Sequence, residues 1–349
     1  MKDSYPRVSI ILLNWNGWKD TIECLESLNR ISYPNYDVMI VDNGSKDESV
    51  DAIKKYARAQ IKVESKLLEP LRVDRHNIDV WELTKAESEL GDKLGENFER
   101  LPPNRKMLIL KNDKNYGFAE GCNIGIRYAS KILAPDYILL LNNDTVVKSD
   151  FLEELINAID NDEGIGFAGP MIYYYEMDGR RDIISVAGIE LNMTKGTYHR
   201  LGALEVDEGQ FKVVRTVDYL EGSCILIRRE VLEKVGMLNP RYFAYWEEAD
   251  LCIRGLRAGY RSVFVPSSKI WHKVSSSADS SVKLYYMTRN RLWFMRTHAT
   301  KGQLLHFMIY FFAFQFWKTL AWFTMQKDAK KIVSFLRGAA DGAIWSERF

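Results

Sequence analysis

Two carboxylates directly behind an aromatic run, with a third two residues on, set the first chemical question. The stretch YFAYWEEADLCIRG puts Glu247, Glu248 and Asp250 after Tyr242, Phe243, Tyr245 and Trp246. Acids opening a helix have an ordinary role, because they complement the positive end of its dipole. Aromatic walls add a second one. A carboxylate beside Tyr245 and Trp246 loses water, which raises its pKa and its basicity. That suits a general base working near neutral pH. Asp250 points to another side of the helix and suits a cap or an ion pair.

A second polar cluster interrupts an apolar run. YILLLNNDTVV stops at Asn142, Asn143 and Asp144, and apolar residues resume at Val146. Asp144 offers a hard oxygen of the kind magnesium and manganese take, alongside substrate phosphates. Asn142 can assist through its carbonyl oxygen or a bound water. His272, in VPSSKIWHK after a strand and a loop, is a structural histidine by default; a metal carboxylate nearby makes it a candidate ligand. By itself, N-N-D also reads as a plain turn.

The elements that must hold these groups alternate. VSIILLN is a continuous apolar run, as a strand buried on both faces requires. A helix with Ile22, Leu25 and Leu28 in register follows, then a strand over 37–41, the turn DNGS, and a helix capped by Ser45 or Asp47. Such alternation predicts a mostly parallel sheet with helices on its faces, an α/β fold. Ligands of such sheets sit beyond the carboxyl ends of the strands. Here those ends carry Asn14 and Asn16, Asp42 and Asn43, Asn112 to Asn115, and Asn142 to Asp144, which together make a polar crevice. Asp42 is placed to accept hydrogen bonds from a nucleoside. In KNYGFAEGCNIG, Gly117, Gly121 and Gly125 let backbone approach closely at a helix start, a place for anionic groups. Close helix–sheet packing is the competing reading. The spacing is not the dinucleotide fingerprint. Expected donor contacts are thus Asn14, Asn16, Asp42, Asn43, Asn115, Gly117, Gly121, Asn123 and Asn143, with Trp246.

Residues 58–105 break the rhythm and read as a charged insertion, helical over 80–98. Residues 165–230 read as β-rich, 242–258 as loop turning into helix, and 260–265 as a strand. From 284 the composition becomes aromatic and basic. The expected division is a domain 1–283, with a nucleotide-binding half 1–147 and an acceptor half 148–283, followed by a tail 284–349. Lysine and arginine total 48 against 47 acids, so the basic excess of a nucleic-acid binder is absent. Cys24, Cys122, Cys224 and Cys252 lack metal-type spacing and read as buried thiols. The apolar stretch near the N-terminus is too short for a signal peptide and reads as a strand, which places the chain in the cytosol.

Taken in order, VSIILLNWNG, IVDNGSKDES, NYGFAEGCNIG, LLLNNDT, LEGSCILIRREVLEKVGMLNPRYFAYWEEADLCIRGLRAGY and IWHK resemble the family 2 glycosyltransferases of the GT-A fold. The likeness is to rhamnosyltransferase-like and galactofuranosyltransferase-like members. It covers residues 7 to about 273 apart from the insertion. The resemblance implies a nucleotide-diphospho-sugar donor, UDP- or dTDP-linked, and inversion at the anomeric carbon. It assigns Asp42 to the nucleoside, Asn142 to Asp144 and His272 to a divalent cation (Mg2+ or Mn2+), and the acidic pair to Glu247 and Glu248, with Glu248 as base. Two departures stand out: Asn142 occupies the first acidic position of the metal motif, and the base is Glu rather than Asp.

In the tail, residues 302–317 are sixteen without Asp, Glu, Lys or Arg, short of the roughly 20 a bilayer span needs. Arg289, Arg291, Arg296 and Lys301 precede them; Lys327, Lys330, Lys331 and Arg337 follow. Positive charge on both flanks suits helices lying in a membrane surface over about 302–345, at the inner face of the cell membrane. A membrane span, and a helix covering the protein's own core or a dimer interface, are the other readings, and a homo-oligomer stays open. The expected function is sugar transfer to a hydroxyl of a lipid-linked or surface glycan. Transfer to a polyprenyl phosphate, and a sugar-nucleotide binder or scaffold without turnover, are the alternatives.

Overall fold

The computed structural model describes residues 5–69, 77–91, 94–274 and 279–344. The insertion's charged cluster, Arg72, Asp74, Arg75 and His76, lies outside them. In chain order the strands are β1 (Val8–Asn14), β2 (Tyr36–Asp42), β3 (Asp79–Thr84), β4 (Lys106–Lys111), β5 (Tyr137–Asn142), β6 (Thr145–Val147), β7 (Ile165–Tyr174), β8 (Ile184–Val186), β9 (Ile189–Asn192), β10 (Thr197–Arg200), β11 (Arg215–Val217), β12 (Cys224–Arg228) and β13 (Arg261–His272). The helices are α1 (Trp18–Leu28), α2 (Ser49–Ala57), α3 (Lys85–Leu90), α4 (Glu96–Arg100), α5 (Gly117–Tyr128), α6 (Phe151–Asp160), α7 (Arg229–Val235), α8 (Glu247–Arg257), α9 (Ser280–His298), α10 (Lys301–Ile309), α11 (Phe316–Met325) and α12 (Ala329–Ala343).

Eleven strands form one sheet in the order β11-β13-β7-β12-β5-β1-β2-β4-β3, with β6 on β13 and β8 on β7. Neighbours from β5 to β3 are parallel. β12 runs antiparallel to both β5 and β7, and β13 is parallel to β7. The carboxyl ends of β1, β2, β4, β5, β7 and β13 therefore share one edge. The strand and helix expected before residue 57 are present, and 165–230 is β-rich, including the hairpin β9–β10.

Three expectations change. Residues 79–84 are an edge strand rather than helix, because Trp81 and Leu83 pack inward against the core and the backbone completes the free edge of β4. Thr84 and Glu87 then form a reciprocal cap that starts α3. β13 does not stop at Val265. A register slip between Val265 and Lys269 absorbs Pro266, and the strand runs on to end at His272 itself. Lastly, the composition change at 284 does not mark the edge of the packed core. Leu292, Phe294 and Met295 of α9 are fully buried, and α12 returns to lay Phe335 and Ala339 against this side of the molecule.

α10 and α11 join through a π-helical turn at Tyr310–Gln315 into one helix, Lys301–Met325. It is long and apolar enough to cross a membrane by length and composition, and is mostly uncovered. The four cysteines are free and buried.

Candidate active site

The return of apolar residues after Asp144 has a topological cause. Thr145 to Val147 form β6, which pairs antiparallel with Ile270 to His272 at the end of β13. The Asp144 carbonyl accepts the Lys273 N–H at 3.0 Å. That splice sets Nε2 of His272 3.1 Å from Oδ1 of Asp144, both residues buried. Burial would lower the imidazole's pKa, but the hydrogen bond and charge of Asp144 outweigh it and leave it raised. Asn142 is held through its backbone: its N–H donates to the Ser223 carbonyl at 2.9 Å and its carbonyl accepts the Thr145 hydroxyl at 2.8 Å.

The Ser223 contact brings the segment 221–223 alongside. Glu221 Oε1 lies 3.9 Å from His272 Nδ1, and Oε2 accepts Arg200 at 2.8 Å. Next to it, Gly222 lies against the Glu248 carboxylate. Glu248 is partly buried, with Oε2 shut off from solvent and lacking a hydrogen-bond partner among the described residues. Burial, and less strongly the charge of Glu221, push its pKa up to about 7. Glu247 is more deeply buried. Burial and the neighbouring Glu248 drive its pKa well above the ordinary carboxylate range. Asp250 has the separate role its position implied: it pairs with Arg254 at 2.8 Å and meets His298 Nε2 at 2.8 Å. Tyr198 closes this side, edge-on to Trp246 with ring centroids 5.9 Å apart.

The acids are presented by an unusual loop. Phe243, Tyr245 and Trp246 all have positive φ, at 64°, 71° and 78°. Such residues cost about 1–3 kcal/mol each and persist only where surroundings impose them. One restraint is the start of α5. The Phe118 and Ala119 N–H groups donate to the Phe243 carbonyl at 2.6 and 3.2 Å. The anion place expected at this helix start is thus filled by the protein's own carbonyl. Gly117, at φ 81°, abuts Phe243 so closely that a Cβ would lie 2.5 Å from its ring. Gly121 and Gly125 lie against Leu13 and Asn43, and against Ile11 and Val41, so their spacing serves helix–sheet packing.

The strand-end amides are mostly turned on each other. Asn14 is fully buried; it donates to Asp42 at 2.8 Å and to Ser45 at 3.1 Å, and accepts Thr21 at 2.9 Å. Asn43, also buried, donates to Asn115 and the Gly117 carbonyl and accepts Asn112 and the Tyr116 N–H. Asn123 clasps the backbone of Leu238, donating at 2.8 Å and accepting at 3.1 Å. The expectation of direct ligand contact is corrected for these three, whose amides are used up inside the fold. Asn143 reaches Thr21 at 2.9 Å, and Asn16, at φ 51°, accepts the Lys46 N–H at 2.7 Å. Asp42 accepts Ser45 at 2.6 Å through the oxygen that also takes Asn14. The network fixes the shape of the crevice floor.

Sequence reasoning gave no role to Glu221 or Arg200. Glu221 stood in the quoted LEGSC, but an acid outside a cluster carries no signal of its own.

A carboxylate–imidazole pair, and a desolvated carboxylate across one segment from it, lie at the carboxyl edge of a mostly parallel sheet. The architecture is GT-A. A mannosyltransferase from Pyrobaculum calidifontis in complex with GDP-Man and Mn2+ aligns with TM-score 0.53 and 13% identity over 99% of this chain and 77% of that one. S. aureus TarS 1-349 in complex with UDP-GlcNAc gives 0.54 and 14% over 96% and 80%. At these identities the likeness is one of fold. The model of glycosyltransferase-like family 2 matches residues 95–292, more than half of the chain, and that of glycosyl transferase family 2 matches 9–72. The chain belongs to glycosyltransferase family 2. Among curated relatives, a low-salt glycan biosynthesis hexosyltransferase of Haloferax volcanii is 31% identical over 41% of this chain and 44% of its own length. A dTDP-rhamnosyl transferase of Shigella flexneri is 26% identical over 57% and 66%. An N-acetylglucosaminyl-diphospho-decaprenol L-rhamnosyltransferase of Mycobacterium tuberculosis is 30% identical over 41% and 48%. The chain thus spans from under half to about two thirds of these relatives' own lengths.

Proposed function

We propose that this protein moves a sugar from a nucleotide-diphospho-sugar to a hydroxyl of a lipid-linked or surface glycan, with inversion at the anomeric carbon. The observation that carries the reading is the unpartnered oxygen of Glu248, held on the far side of Glu221 and Gly222 from the Asp144–His272 pair. Near neutral pH Glu248 is poised to take the acceptor's proton as its oxygen attacks the sugar carbon. The bond to the diphosphate breaks on the opposite face, and a single displacement inverts the centre. Asp42, at the end of β2, is the proposed nucleoside acceptor group, with Asn16, Asn115 and Asn143 holding the loops around the donor.

One carboxylate and one imidazole fit a magnesium or manganese ion that completes its shell with substrate phosphates. Among the described residues no group of three or more His, Cys, Asp or Glu gathers into a fuller metal site. Asp144 and His272 would hold the ion, and Asn142 stands beside them in the same turn. Bound there, it would supply charge compensation for the departing diphosphate.

The similarity to a dTDP-rhamnosyl transferase, to an N-acetylglucosaminyl-diphospho-decaprenol L-rhamnosyltransferase and to a fold neighbour in complex with UDP-GlcNAc supports a dTDP- or UDP-linked donor and a diphospholipid-linked acceptor. A polyprenyl phosphate acceptor is already ionised and needs no base, so a desolvated Glu248 favours a hydroxyl. The apolar face of Lys301–Met325, where Phe314, Trp317 and Trp322 are exposed, is proposed to lie on the inner membrane surface. The expected basic flank narrows, since Arg289 and Arg291 are engaged with backbone carbonyls inside the fold.

The test is a panel of nucleotide sugars screened with and without Mn2+ for thermal stabilisation and nucleotide release. Stabilisation by a dTDP- or UDP-sugar, with acceptor-dependent release, is expected. No stabilisation by any donor in either condition would overturn the reading.

A further inference from the structure

Resting on that glycosyl-transfer reading, we propose that Asn290 is a positioning residue for the reaction, its carboxamide holding the loop that presents Glu248. The carbonyls from Arg241 to Tyr245 all receive donors from two helices. Arg241 and Tyr242 accept Arg289, both at 2.9 Å. Phe243 accepts the start of α5. Tyr242, Ala244 and Tyr245 accept the single Nδ2 of Asn290 at 2.9, 2.8 and 2.8 Å.

Phe243, Tyr245 and Trp246 are left-handed around Ala244, and the carbonyls of Tyr242, Ala244 and Tyr245 turn toward one side chain. Inside the protein each needs a donor. Asn290 is fully buried and gathers three of them at one point. Its own oxygen accepts Arg289 Nε at 2.9 Å, which fixes the amide's orientation. The Arg289 guanidinium in turn lies 4.8 Å from the Tyr286 ring centroid, and Tyr286 stacks on Phe243 at 5.0 Å. α9 therefore grips the loop through both backbone and ring. The residue type is specific: aspartate would turn a carboxylate on three carbonyls, and alanine would take the Asn290 donor from Ala244 and Tyr245, while Tyr242 keeps Arg289.

The experiment compares Asn290→Ala and Asn290→Asp with the parent, measuring melting, donor binding with Mn2+, and steady-state transfer. A positioning role predicts that kcat falls roughly 10- to 100-fold, the cost of a small misplacement of reacting groups. Donor affinity should stay within about twofold, because what Asn290 holds is the backbone of Tyr242, Ala244 and Tyr245. Arg289→Lys, which keeps the Asn290 side chain but removes the Nε–H that orients it, is expected to lose less and serves if the alanine variant does not fold. The decisive arm repeats Asn290→Ala in a Tyr245→Gly background. Glycine takes φ 71° without strain, so the penalty for losing the clamp should shrink, though the Ala244 and Tyr245 carbonyls still lose their donor. Transfer at the parental kcat in both Asn290 variants, or a penalty that glycine leaves unchanged, overturns the proposal. A parent that binds donor but transfers to no acceptor overturns the function reading itself.

Discussion

Glu221 and His272 stand 3.9 Å apart, Oε1 to Nδ1, and that approach joins the two chemistries of the cleft. His272 belongs to the pair expected to meet the diphosphate. Glu221 precedes the glycine that lies against the Glu248 carboxylate. Had Asp144 and Glu248 occupied opposite sides of the molecule, no single displacement could use both.

Glu248→Gln is expected to lower transfer about 10²- to 10⁴-fold, the range of general-base contributions, with donor binding retained. The base must be deprotonated, so the parent's kcat/KM should rise with pH through about 7, and the variant's profile should lose that limb. A variant as active as the parent removes Glu248 from the mechanism.

His272→Ala and Asp144→Asn are expected to weaken Mn2+-dependent donor binding roughly tenfold or more, since even supporting groups of metal ligands carry that much. The readout is the shift in melting temperature with donor, titrated against Mn2+. An unchanged titration in both variants would place the ion elsewhere.

Glu247→Gln tests the deeper acid through stability. The folded state raises this carboxyl well above its ordinary value of 4.5, while the unfolded chain releases its proton near that value. Its contribution to stability is complete below pH 4.5 and is lost as pH rises toward the folded pKa. The variant should therefore melt higher than the parent, by a margin that grows from acid to alkaline pH. Its transfer should stay within a few fold. If Glu247→Gln instead abolishes transfer as Glu248→Gln does, the base role is misassigned.

Trp317→Glu combined with Trp322→Glu is expected to abolish sedimentation with anionic vesicles and leave the melting temperature within a few degrees, because both rings are exposed. Point changes are the right probe. Removing everything after residue 301 would also uncover α9 by deleting Phe335 and Ala339. Full vesicle binding by the double variant would refute the membrane face.

The sequence by itself determined the alternating elements, put polar residues at the strand ends, and singled out Asp144, His272, Glu247 and Glu248 as candidates. Those depend on patterns of one residue against its chain neighbours: apolar runs, turn residues, aromatics beside acids. It misread the edge strand Asp79–Thr84, because only the free edge of β4 turns an ambiguous segment into strand. Tertiary structure alone decided that Asn14, Asn43 and Asn123 are spent within the fold, that the start of α5 receives Phe243 instead of an anion, and that Asn290 holds the backbone of 242–245 ahead of Glu248. An amide's chemistry is the same in every one of these places. What it does is fixed by which acceptors lie within about 3 Å, and the partners that settle it are often remote in the chain.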